Sequence, residues 1–104
     1  MNYKPKPIDV SMVRLPRNFD KLVDVLAKNL HDKWAAMRIE EGWTYGLTRN
    51  DVGKTHPYLV AFNDLPESER LFNKKITSET LKALGVLGFK IDRYLEAGEQ
   101  WLLD

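Results

Sequence analysis

Phe19, Leu22, Val23, Leu26, Leu30, Trp34 and Met37 recur at spacings of three and four. At ~100° per residue they fall within an arc of roughly 120°, the width of a helical stripe that faces a single core. A strand alternates with period two and would split the same residues between two faces. The pattern therefore predicts a long helix over about 18–41, with Asn18 as its N-cap. Gly42 ends it, because glycine takes the left-handed conformation after a last turn without a Cβ clash.

So long a stripe needs a second element to cover it, and the chain offers one over about 66–87. Pro66 suits a first helical position, and Glu67 and Glu69 suit the positive end of the helix dipole. Phe72, Ile76, Leu84 and Leu87 share a face, but Leu71 and Leu81 fall off it and Thr77-Ser78 can cap a new turn. A kink near Ile76–Ser78, or two consecutive helices, is expected. Gly88 closes the element, and Phe89 with Ile91 is read as a last short extended segment. The fold class is thus mainly α: two long antiparallel helices with short β segments and long structured loops.

Three prolines, Pro5, Pro7 and Pro16, hold the amino-terminal arm extended. Val10, Met12, Val13 and Leu15 are expected to pin it along the helices, with a short edge strand near Met12–Arg14. Between the helices, Gly46, Asn50, Asp51, Gly53 and Pro57 give Trp43–Tyr58 a turn-forming composition. The alternation of Tyr58, Val60 and Phe62 reads as a short strand. Residues 92–104 form a separate tail, helix-compatible, that either docks on the body or offers a contact surface.

Composition narrows the functions available. A chain of 104 residues supports one core. Sixteen basic against fifteen acidic residues create no overall field to gather nucleic acid or an anionic membrane, so neither is an expected partner. The absence of cysteine removes disulfides, thiolate metal sites and thiol nucleophiles. The polar, proline-punctuated start has no secretory apolar run, and no stretch approaches the ~20 apolar residues of a membrane span. A cytoplasmic location is expected.

The segments KPKPIDVSMVRLP, LAKNLHDKWAAMRIEEGWTYG, KTHPYLVAFNDLPESER and SETLKALGVLGFKI, in that order, resemble the RyR domain. This repeat occurs in tandem pairs in the cytoplasmic part of ryanodine-receptor calcium channels and singly in bacteria. The specificity lies in combining N-x-H-x-x-W-A, R-I-x-x-G-W-x-Y-G and H-P-x-L-V at these separations. The resemblance implies a domain over 1–91, two long helices with short strands, and a noncatalytic regulatory module working through protein contacts. In the channels two repeats pair about an approximate twofold axis, which for a lone copy implies a homodimer with an isologous interface. Calcium transport does not carry over to a single repeat.

His31, Trp34 and Arg38 stand at i, i+3 and i+7 and so stack along one side of the first helix. Trp43 and Tyr45, just past Gly42, can add a second aromatic surface. Together these five form the candidate ligand site, in which a nucleotide or purine-like anion would stack on the rings and meet Arg38. The competing reading makes the tryptophans core anchors, pairs Arg38 with a carboxylate and sets His31 to brace a loop. His31 and His56 with Asp32 or Asp51 lack metal-ligand spacing, and His56 reads as a loop brace bonded to backbone. Glu40 and Glu41 lack a nucleophile to serve, and Gly42, Gly46 and Gly53 do not have phosphate-loop spacing. Neither a metal nor another cofactor is expected, and the chain is not expected to be an enzyme.

Overall fold

A computed structural model describes residues 2–90. The elements run α1 (Phe19–Glu40), β1 (Thr44–Tyr45), β2 (Thr55–His56), a 3-10 turn (Phe62–Asp64) and α2 (Glu67–Val86). Asp24 on α1 pairs with Lys74 on α2 at 3.2 Å, whereas Leu30 and Trp34 share a cleft with Glu69 and Asn73. Positions climb on one helix as they fall on the other, so the helices are antiparallel. The fold class is as the sequence predicts. The tail expectation for residues 92–104 and the extended segment through Ile91 lie outside the described residues.

Both helix stops behave as read, with Gly42 at φ 96° and Gly88 at φ 93°. The starts differ in detail. Asn18 occupies the N-cap of α1 but its side chain makes no cap bond. A tight turn before the helix supplies the acceptors instead, Phe19 N–H donating to the Pro16 carbonyl and Asp20 N–H to that of Arg17. Pro66 is the N-cap of α2 and not its first residue, and its carbonyl accepts from the amides of Glu69 and Arg70. The α2 helix is unbroken. Thr77 and Thr80 donate their hydroxyls back to the carbonyls of Asn73 and Ile76, so no new cap forms there.

The buried faces are rotated from those the periodicity marks. On α1 the buried residues are Ala27 and His31, while Leu30 and Met37 are exposed. On α2 Thr77 and Leu81 are buried, and Phe72, Ile76 and Leu87 are exposed. The cause is the connection, which lays Phe62 and Leu65 against Ala27 as the core cluster, with Tyr58 and Val60 packed on it. Ala27 has no side chain beyond Cβ, so Phe62 can approach α1 closely. Each of these two large side chains contributes about 1.5–3 kcal/mol by leaving water.

The expected strand over Tyr58–Phe62 is absent; β2 lies earlier. Pro57 has no amide hydrogen, Tyr58 N–H is taken by the His56 ring, and Leu59 N–H bonds the His56 carbonyl, so no ladder can continue. Tyr58 and Val60 still pack with Phe62 on the core cluster without the strand. The β1 and β2 segments are parallel, with Thr44 opposite Thr55 and Tyr45 opposite His56. The edge strand expected near Met12–Arg14 is also absent, because Val13 N–H closes a turn onto the Val10 carbonyl. Met12 points to solvent and does not pin the arm, whereas Pro7–Ser11 lies beside Lys75–Ala83 of α2.

Candidate functional site

The connection between the helices is fastened by side chains that bond backbone. Asn50 Oδ1 accepts from the amides of Val52 and Gly53, folding the tip. Lys54, held in the left-handed region at φ 55°, reaches back with Nζ to the Glu41 carbonyl at 2.8 Å and so closes the end of α1. Thr55 donates to the Thr48 carbonyl, and Gly46 N–H to that of His56. A Cβ on Gly46 would stand 2.6 Å from Thr55 Cβ, so only glycine allows this approach. Arg70 clamps the far side by donating to the carbonyls of Asn63 and Leu65.

This fastening sets two histidines among aromatic rings. His31, buried in α1, bonds the Val60 carbonyl through Nε2 at 2.7 Å. A carbonyl only accepts, so Nε2 carries the hydrogen. The His31 ring stacks with Trp34 at 5.6 Å and tilts against Phe62 at 6.2 Å. His56 meets Trp34 edge-on at 5.0 Å, Trp43 at 6.2 Å and Tyr58 at 5.3 Å. Its Nδ1 accepts the Tyr58 amide hydrogen, which leaves Nε2–H as the donor of the neutral ring. Burial, then the charges of Arg49 and Arg38, hold the His56 pKa below its ordinary value, against a weaker opposing pull from Asp51 and Glu69.

A cleft of about 310 Å³ opens beside this ring cluster. Helix α1 lines it with Leu30, His31 and Trp34, and the connection adds His56, Tyr58 and Leu65. Glu69 and Asn73, one turn apart on α2, form the opposite wall. Among the described residues Glu69 is the one carboxylate on the lining, and neither lysine nor arginine is part of it. Among the described residues no hydrogen bond satisfies the Glu69 carboxylate, the Asn73 carboxamide or His56 Nε2. The cleft therefore combines flat apolar walls with polar groups still able to bond a ligand.

Of the five residues marked from sequence, His31 and Trp34 line this cleft. Trp43 is buried beside His56, away from the lining. Arg38 lies with its guanidinium 5.6 Å from the Trp43 ring centre and pairs with Glu41 at 3.1 Å. Tyr45 is 55% exposed on β1. The sequence reading did not select Tyr58, Glu69 or Asn73, and took His56 only as a brace, which its Nδ1 bond makes it as well. The i, i+4 spacing of Glu69 and Asn73 places them on one face, but nothing in the sequence says that this face meets Trp34.

Among the described residues, no three His, Asp or Glu side chains converge as a metal site, and no helix is long and apolar enough to cross a membrane. The sequence model of the RyR domain matches residues 3–93.

Proposed function

The chain belongs to the RyR domain family, and from that premise we propose that it is a noncatalytic interaction module which recognises its partner through the cleft between α1 and α2. The observation that carries this reading is the cleft itself: Trp34 and Tyr58 as flat walls, with Glu69, Asn73 and His56 Nε2 left to bond a guest. Both histidines spend a ring nitrogen on main-chain groups, so each supports architecture more readily than proton transfer. Leu30 of the lining is exposed, and so are the apolar Met37, one turn past Trp34 on α1, and Phe72, next to Asn73 on α2. Such a rim favours a protein partner, with a second copy of this chain as the first candidate.

A second reading, a sensor for a nucleotide or purine-like anion, draws support from the same aromatic walls. Its phosphate would need a cation, and the nearest marked one, Arg38, is engaged by Trp43 and Glu41 outside the lining. Sedimentation and calorimetry separate these readings. The interaction module should associate with itself or a partner and lose that association on Phe72→Asp or Trp34→Ala with the fold retained. A strict monomer at high concentration removes the homodimer. Saturable heat with a nucleotide panel, lost on Trp34→Ala, would favour the sensor.

A further inference from the structure

We propose that the cleft receives an arginine side chain from the partner protein, an inference that rests on the interaction-module reading above. Closing any partner over the cleft strips water from Glu69, and a desolvated carboxylate is strongly disfavoured unless a counter-charge replaces that water. Among the described residues, no lysine or arginine on the lining supplies one. The counter-charge must come with the guest. A phosphate would add like charge, and a neutral heterocycle would leave Glu69 uncompensated.

The remaining walls favour guanidinium over ammonium. A flat cation stacks on the faces of Trp34 and Tyr58 and offers parallel N–H donors to a carboxylate, which a compact, strongly hydrated ammonium cannot do. Leu30 and Leu65 suit the methylene stem. His56 adds no opposing charge, since its burial favours the neutral ring, and its Nε2–H is a donor for a peptide carbonyl of the guest.

The test titrates the full chain with N-acetylarginine methylamide and its neutral isostere, N-acetylcitrulline methylamide, with AMP and methylguanidinium in parallel. Amide and indole NMR resonances report the binding. The arginine probe should shift Trp34, Glu69 and Asn73 saturably and bind at least about tenfold more tightly than the citrulline probe. Glu69→Gln should abolish that preference while the dispersion of the spectrum shows the fold intact. Glu69→Asp, which keeps the charge, should retain part of it. Equal binding of arginine and citrulline, or an unchanged preference in Glu69→Gln, overturns the inference while leaving the cleft as a binding site. Binding by AMP alone overturns it in favour of the sensor, and binding by methylguanidinium with none by the arginine probe assigns the site to a free small molecule and not to a partner. If no probe shifts any cleft resonance, both this inference and the role given to the cleft fail.

Discussion

The two ends of the helix pair are built differently. At the end covered by the connection, His31, Trp43, Phe62 and Leu65 are buried, and the chain above them is fastened by Asn50, Lys54, Thr55 and Arg70 to backbone carbonyls or amides. At the other end, the arm lies beside α2, and its hydrogen bonds among the described residues, a turn at Val10–Val13 and the Ser11 amide on Asp9, stay within the arm itself, leaving half-buried Val10, Val13 and Leu15 to hold it. There only Thr77 and Leu81 are buried among the residues of α2, and Ile8, Ile76 and Leu87 remain substantially exposed. The lesson is that a loop rich in turn formers can be the firmer cover, because its side chains satisfy the backbone groups that a packed loop would otherwise bury unbonded. Prolines extend the arm, but they give it few donors with which to hold on.

The largest expected effect tests that contrast directly. Phe62→Ala should cost about 3–5 kcal/mol in urea unfolding, enough to leave much of so small a domain unfolded, while Leu81→Ala should cost about 2–3. Equal losses would break the distinction between the two ends. Next comes His31→Ala, which strips the Val60 carbonyl of its donor and Trp34 and Phe62 of a ring neighbour, at about 2 kcal/mol. His31→Gln, able to donate from the same helix position, should recover part of the loss in the same assay.

Smaller again is Gly46→Ala, about 1–2 kcal/mol, through the clash with Thr55. The double variant Gly46→Ala with Thr55→Ala should be less destabilised than the sum of the two single variants, measured as a thermodynamic cycle. The smallest effect is on pH. His56 has a lower pKa folded than its ordinary 6.5, so the unfolded chain binds more protons over the interval between the two. Stability should be full above pH 6.5, fall as the pH drops below it and level off beneath the folded value. In thermal unfolding across this window, His56→Asn, whose side chain can still accept the Tyr58 amide, should remove the slope.

Much of this architecture is legible in the amino-acid order, because it depends on neighbours within a turn or two. The periodicity of α1, the arrest at Gly42 and Gly88 and the turns of the connection are local, and so is the motif set that marks the RyR family. His56 as a brace is local too, since its ring bonds an amide two residues on. The rotation of both helix faces is not local. Periodicity marks a wide stripe, but which half is buried depends on where Phe62 and Leu65 land, and they land on Ala27. The cleft follows from the same packing. Glu69 comes to face Trp34 only because the helices run antiparallel at one register. Sequence by itself determined the two helices, their ends and the family; tertiary structure decided where the short strands pair, which faces meet and which charge lines the site, since these depend on contacts between segments apart in the chain.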